Sequence, residues 1–206
     1  MADVIDIVDL GLGNIRSVQR MIEKVGGTAR FVTFPEEIAI SKKLILPGVG
    51  HFDEGMKSLR TTGLLNIIRT RLTNEHLPVL GICLGMQLLC RTSEEGTGPG
   101  IGLIDAVVRK FQFKEDLKLK VPHMGWNEIE ISKENPLIVP DDEEQRFYFV
   151  HSYRVVPMDK NIVIATANYG GGFCAAFQKD HIFGVQFHPE KSHRFGLALL
   201  KHFVEL

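Results

Sequence analysis

Leu77-Pro78-Val79-Leu80-Gly81-Ile82-Cys83-Leu84-Gly85-Met86-Gln87-Leu88-Leu89-Cys90 is a short apolar run that carries a thiol between two glycines. The pattern Gly81-x-Cys83-x-Gly85 is the thiol counterpart of the nucleophile elbow, where a buried strand turns sharply into a helix and holds a reactive side chain at the apex. Glycines at both flanks accept unusual backbone angles and leave room for a backbone and a substrate to come close. A helix starting near Leu84 sets unpaired N–H groups and a partial positive charge beside the sulfur, which lowers a thiol pKa. Cys83 is therefore a candidate nucleophile. The same residue also fits the ordinary place of a cytosolic cysteine, a small buried core side chain.

Upstream of the elbow the chain alternates strands and helices. Residues 4–9 read as a strand, Leu10-Gly11-Leu12-Gly13 as a turn, and Asn14 as the cap of a helix. That helix carries Val18, Met21, Ile22 and Val25 on one face and stops at Gly26-Gly27. In Gly11-Leu12-Gly13-Asn14-Ile15-Arg16 the third glycine of a dinucleotide fingerprint is replaced by Arg16, which argues against a nucleotide cofactor. Residues 28–33 and 43–46 read as strands, and Leu64, Leu65, Ile68 and Leu72 mark a helix leading into the strand at 79–82. Strands alternating with helices predict a parallel sheet covered on both faces, with ligands beyond the carboxyl ends of the strands. Pro47-Gly48-Val49-Gly50 lies at one such end and Cys83 at another. The former is either an ordinary loop or a stretch whose backbone N–H groups face a ligand.

After Glu94 the pattern changes. Residues 96–102 form a glycine-rich loop, and 103–111, 127–131, 146–153, 162–168, 173–178 and 181–187 read as strands without helices between them, so this half is expected to be antiparallel. Asp141-Asp142-Glu143-Glu144 reads as a solvated loop and Gly170-Gly171-Gly172 as a hairpin turn. A last helix has Phe195, Leu199, Phe203 and Leu206 on its packed side.

The 206 residues suit one domain spanning residues 1–206. With 24 basic against 25 acidic residues and no basic block, there is no electrostatic case for nucleic acid or an anionic membrane. Acids at Asp3 and Asp6, and no apolar run of about 18 residues, predict a cytoplasmic chain without a signal or span. The odd count of 3 cysteines argues against a disulfide framework, and Cys90 and Cys174 read as structural thiols. No histidine spacing indicates a metal site.

A thiolate nucleophile needs a base that returns a proton to the leaving group, and the base needs a group that fixes its tautomer. The apolar strand Ile182-Phe183-Gly184-Val185-Gln186-Phe187 ends in His188-Pro189-Glu190. Two residues apart on an extended chain held by Pro189, His188 and Glu190 point to the same side. Taken alone, they also fit an unremarkable surface pair at a strand end.

Together, Gly81-Ile82-Cys83-Leu84-Gly85-Met86-Gln87 and Gln186-Phe187-His188-Pro189-Glu190-Lys191-Ser192 resemble the class I, or triad, glutamine amidotransferases. Within that family the chain is similar to glutaminase subunits of imidazole glycerol phosphate synthases. That likeness runs through residues 11–17, Pro47-Gly48-Val49-Gly50, Pro122-His123-Met124-Gly125-Trp126-Asn127 and Phe149-Val150-His151-Ser152-Tyr153. It departs at Leu10, where the family often has an aromatic residue. The resemblance implies an α/β fold: a three-layer, flavodoxin-like mostly parallel sheet with added antiparallel strands. It makes Cys83 the nucleophile on L-glutamine, His188 the acid–base and Glu190 its orienting carboxylate. It gives Leu84 and the Gly48-Val49-Gly50 segment to the oxyanion, after reorientation of its peptides, and Gln87 to the substrate. No cofactor is implied. A separate (β/α)8 cyclase subunit would form a heterodimer and receive the ammonia, and Asn14, Met124, Trp126 and Lys191 match segments that face it; Trp126 equally suits a core. Two other readings stand: a paralogous glutaminase feeding a surface-polysaccharide sugar amidotransferase, to which Ser192-His193-Arg194-Phe195-Gly196 has some likeness, and a cysteine peptidase or hydrolase of the same architecture.

Overall fold

The computed structural model describes residues 4–113, 118–140 and 144–206. Its first half is an open α/β unit: β1 (Val4–Val8), α1 (Ile15–Lys24), β2 (Thr28–Val32), α2 (Pro35–Ala39), β3 (Lys43–Leu46), α3 (Phe52–Thr61), α4 (Leu64–Asn74), β4 (Val79–Ile82) and α5 (Leu84–Leu88). The second half adds β5 (Cys90–Ser93), β6 (Ile104–Lys110), β7 (His123–Ile131), β8 (Arg146–His151), β9 (Tyr153–Pro157), β10 (Val163–Asn168), β11 (Gly172–Lys179), β12 (Ile182–Val185) and α6 (His193–Glu205). The main sheet runs β2-β1-β3-β4-β12-β11-β10-β7-β8, and β5-β6-β9 form a smaller one.

From β2 to β12 every pairing is parallel. Beyond β12 each is antiparallel. The order β2-β1-β3-β4-β12 is the flavodoxin-like doubly wound order, which opens a crevice at the carboxyl ends of its strands. The antiparallel expectation for the second half fails in two places: β5 pairs parallel with β6 in the smaller sheet, and β12 returns from β11 as a hairpin and pairs parallel with β4, Gly184 opposite Gly81 and Val185 opposite Ile82.

Alternation along the buried strands feeds two cores. Ile5, Ile7, Ile45 and Leu80 face α1 and α6 through Val18, Ile22, Leu199 and Phe203. Val8, Leu44, Leu46 and Val79 face Phe52, Met56, Ile68 and Leu88 on the other side. Each such side chain contributes about 1.5–3 kcal/mol on leaving water. Asn14 caps α1, its Oδ1 accepting the Ser17 N–H at 3.3 Å.

Several boundaries differ from the sequence reading. The elbow helix stops after Leu88, because the chain enters β5 to reach the second sheet. The expected strand at 146–153 breaks at Ser152, since β8 pairs with β7 while β9 pairs with β6 in the other sheet. Helices α2 and α3 were not expected. Leu206 is 45% exposed and lies off the packed side of α6. The turn between β10 and β11 is 169–171, with positive φ at Gly170 and Gly171, while Gly172 already pairs in β11 opposite Asn168. The acidic stretch at Asp141, Asp142 and Glu143 lies outside the described residues. No helix among the described residues is long and apolar enough to cross a membrane.

Candidate active site

Cys83 stands at the carboxyl end of β4 with φ 52° and ψ −106°, a conformation that costs a non-glycine residue about 1–3 kcal/mol. Its N–H donates to the Val185 carbonyl at 2.8 Å and its own carbonyl accepts the Gln87 N–H at 3.2 Å, so strand and helix hold it from both sides. The sequence reading gave the unusual angle to the flanking glycines. It falls on the cysteine instead, and the glycines serve close approach: a Cβ on Gly81 would lie 2.8 Å from the backbone of Gly85 and Met86, and one on Gly85 would lie 1.7 Å from the Leu46 carbonyl oxygen.

Because β12 lies beside β4 in parallel register, the segment after Val185 emerges at the same sheet edge as Cys83. His188 and Glu190 meet there, imidazole Nδ1 to carboxylate Oε1 at 2.7 Å. Their contact is not made along an extended strand. Pro189–Lys191 is a 3-10 turn, and it folds the carboxylate back onto the ring. Strand β8 secures the turn: the His188 N–H donates to the Tyr148 carbonyl at 2.9 Å, and the Ser192 hydroxyl, which accepts the Tyr148 N–H at 3.0 Å, donates to the His188 carbonyl at 2.6 Å. With Nδ1 donating to Glu190, Nε2 is the nitrogen left to move a proton; it is buried and makes no hydrogen bond of good geometry. Burial opposes charge on His188, but Cys83 and Glu190 favour it and prevail, pushing its pKa up to about 10.

A cleft of about 310 Å³ opens over the sulfur, lined among others by Val49, Gly50, Leu84, Gln87 and Glu95. Four of the five residues expected to bind oxyanion or substrate are thus beside Cys83. Gly48 is not in the cleft: its carbonyl oxygen turns to the elbow and accepts the Leu84 N–H at 3.3 Å. The Gln87 Nε2 donates to the Tyr153 carbonyl at 3.2 Å and to Gln186 Oε1 at 3.1 Å, which leaves its carbonyl oxygen for a ligand. Gln186 Nε2 in turn donates to Cys83 Sγ at 3.7 Å.

The sequence reading missed three participants. Glu95 supplies the cleft's carboxylate, with Oε2 accepting the Phe52 N–H at 2.8 Å, and no motif marked it. His151 lines the cleft and bonds to the buried His123; neither has a ligand spacing in the sequence. Gln186 is two residues before His188, where the sequence shows only the end of an apolar run.

Asn14, Met124, Trp126 and Lys191 are all exposed. Trp126, 48% exposed, is not a core residue: it stacks on His193 with ring centroids 5.4 Å apart and meets Tyr148 edge-on. The Lys191 ammonium lies 5.7 Å from the Tyr148 ring. Cys90 and Cys174 are buried, and burial pushes both thiols up, Cys174 to about 12. No group of three or more metal-ligating side chains occurs among the described residues.

Fold and site define the class: a doubly wound α/β enzyme with an elbow thiol and a buried imidazole–carboxylate pair in the turn that follows the adjacent strand. The model of the class-I glutamine amidotransferases matches residues 6–206. Over 203 residues the chain is 47% identical to imidazole glycerol phosphate synthase subunit HisH 2 of Pseudomonas aeruginosa, covering 98% of this chain and 100% of that protein. It is 48% identical to the subunit of the same name from Methanococcus maripaludis, covering 98% and 99% of the two. A solved glutamine amidotransferase superposes with a TM-score of 0.75 at 20% identity over 98% of this chain and 97% of that one, a likeness of fold. The chain belongs to the class I glutamine amidotransferase family.

Proposed function

We propose that this chain is the glutaminase subunit of an imidazole glycerol phosphate synthase, hydrolysing L-glutamine and passing the ammonia to a (β/α)8 cyclase subunit for histidine biosynthesis. The chemistry rests on one observation, the buried 2.7 Å bond between His188 and Glu190 in the turn just past the strand next to that of Cys83. The near-half identity to subunits of that name, over almost their whole length, supports the synthase.

In this reading the Cys83 thiolate attacks the carboxamide carbon of glutamine, and His188 Nε2 gives its proton to the departing nitrogen. Ammonia leaves and a glutamyl thioester remains. The neutral imidazole then takes a proton from water as the water oxygen attacks the thioester. Collapse releases glutamate and restores thiolate and imidazolium. Glu190 fixes the tautomer and stabilises the imidazolium throughout. Glu95 suits the α-ammonium of the substrate, and the Gln87 carbonyl oxygen is the acceptor beside it.

The oxyanion needs donors, and Leu84 N–H is held by the Gly48 carbonyl. Turning over the Gly48–Val49 peptide removes that carbonyl and presents the Val49 N–H beside that of Leu84. A cyclase subunit docked over Asn14, Met124, Trp126 and Lys191 would favour the turned state, which ties glutamine hydrolysis to the presence of an ammonia acceptor. Glutamine hydrolysis with and without the cyclase subunit, with Cys83→Ser as control, tests the proposal. Stimulation by a sugar amidotransferase synthase and not by the cyclase would transfer the chain to that partner, and peptide cleavage in place of ammonia release would defeat the amidotransferase reading.

A further inference from the structure

A chain of side-chain hydrogen bonds runs without a break from β7 to the nucleophile. Asn127 Nδ2 donates to the Asn168 carbonyl at 2.9 Å and to His123 Nε2 at 3.2 Å. His123 Nδ1 donates to His151 Nε2 at 2.9 Å, and His151 Nδ1 to the Tyr153 carbonyl at 2.8 Å. That carbonyl also takes the Gln87 amide at 3.2 Å; Gln87 reaches Gln186 Oε1 at 3.1 Å, and Gln186 Nε2 reaches Cys83 Sγ at 3.7 Å.

Every polarity in this chain is forced. A carbonyl only accepts, so His151 carries its proton on Nδ1 and offers the Nε2 lone pair. His123 must then donate from Nδ1 and accept at Nε2. At the far end the Asn127 amide is fixed independently, because its Oδ1 accepts the Glu128 N–H at 2.9 Å and its Nδ2 faces the Asn168 carbonyl. The two ends agree on one arrangement, with both rings neutral. A proton added to either ring would set donor against donor or reverse the chain. Burial acts in the same sense, lowering His123 to about 4 and His151 to about 3. At the other end, Gln87 holds the Gln186 amide so that its N–H, not its oxygen, faces the sulfur. An N–H aimed at sulfur favours the charged thiolate, whereas an oxygen there would repel it. As a thiol, the sulfur faces the Val150 carbonyl at 4.0 Å and the His188 imidazole, whose charged form, held by Glu190, favours the thiolate as well.

We infer that Gln186 is a positioning residue for the nucleophile, its amide N–H holding the Cys83 sulfur as a thiolate, and that the His123–His151 pair keeps Gln186 in that orientation through the Tyr153 carbonyl and Gln87. The inference rests on the reading of Cys83 as nucleophile and adds residues that the triad does not include.

The test is the pH dependence of Cys83 alkylation by iodoacetamide in the full chain, with peptide mass spectrometry separating it from Cys90 and Cys174. Gln186→Glu keeps the acceptor for Gln87 and replaces the donor to sulfur by an oxygen. Its alkylation midpoint is expected about one pH unit or more above that of the parent, with about tenfold slower reaction below both midpoints. His151→Phe should move the midpoint in the same direction by less, and His151→Asn, which can donate to Tyr153 and accept from His123, should move it back. If Gln186→Glu does not fold, Gln186→Met, which removes the donor without adding charge, carries the same expectation. A parent midpoint at the ordinary thiol value of about 8.5 would overturn the nucleophile reading and this inference with it. A depressed parent midpoint that neither Gln186 variant moves would overturn the positioning role alone.

Discussion

The Gly48 carbonyl oxygen accepts the Leu84 N–H at 3.3 Å. The backbone donor at the start of the elbow helix is therefore engaged by the very segment that the proposed mechanism calls on for a companion donor. Gly85 explains why the two are in contact. Without a side chain there, the elbow helix can rest on the Leu46 carbonyl, and Pro47-Gly48 follows directly from that point. Cysteine, histidine and carboxylate are assembled in this state, while the Leu84 N–H that the proposed mechanism assigns to the oxyanion is taken up by Gly48.

Glu190→Gln should lower kcat by about 10²–10⁴-fold and lower the thermal midpoint at neutral pH, since the amide retains an oxygen for the His188 Nδ1–H but no charge to offset the buried imidazolium. Cys83→Ser should remove measurable ammonia release. Steady-state hydrolysis in the presence of the proposed cyclase subunit, paired with thermal melts, checks both; an active Glu190→Gln variant would remove the carboxylate from the mechanism.

Acid should destabilise the fold through the buried histidine pair. Their folded pKa values, about 4 for His123 and 3 for His151, lie below the ordinary 6.5. The unfolded chain takes up protons that the folded pair refuses, so the contribution is complete above pH 6.5 and is lost as pH falls through the folded values. His188 has the opposite sign, its contribution complete below 6.5 and lost as pH rises through about 10. Glu37, held down by the N–H groups of Thr33 and Phe34, loses its own contribution only below its ordinary 4.5. Melts between pH 7.5 and 4.5 should therefore fall in the parent and fall less in His151→Asn. Equal slopes would contradict the assignment.

Two glycine substitutions should separate crowding from backbone strain. In Gly85→Ala the new Cβ meets the Leu46 carbonyl oxygen at 1.7 Å, and a loss of about 3 kcal/mol or more, or failure to fold, is expected. In Gly11→Ala nothing lies within 4 Å, but φ is 70°, so about 1–2 kcal/mol is expected. Urea midpoints in the reverse order would show that the elbow yields more easily than its packing implies.

Trp126→Ala should weaken binding of the cyclase subunit by about 30-fold or more, as expected of an exposed aromatic at the centre of a docking face. Glutamine hydrolysis by the chain alone should not change. Titration calorimetry reads the first and ammonia release the second; unchanged affinity would move the docking face elsewhere.

The chemistry was legible because its residues are adjacent in sequence or end apolar strands: Cys83 between two glycines, and His188 and Glu190 after Phe187. The parallel half was legible for the same reason, from short, largely apolar runs such as Lys43–Leu46 and Val79–Ile82. What escaped depends on distant pairing. Nothing local separates β8 from β9, because the break at Ser152 exists only to send two strands to different sheets. Helix α3 hid behind Gly55, which interrupts its apolar face but admits Leu84 and Leu88 of the elbow helix. The Gln87–Gln186 and His123–His151 contacts join residues 99 and 28 positions apart and follow no motif spacing.

The most direct measurement is the rate of glutamine hydrolysis by the isolated chain and after addition of the cyclase subunit with its ligand. One oxyanion donor is worth about 10²–10³ in kcat. A slow basal rate, rising by at least that factor on addition of the subunit while KM changes little, is the expected result. Vigorous turnover by the isolated monomer, unaffected by the partner, would contradict it.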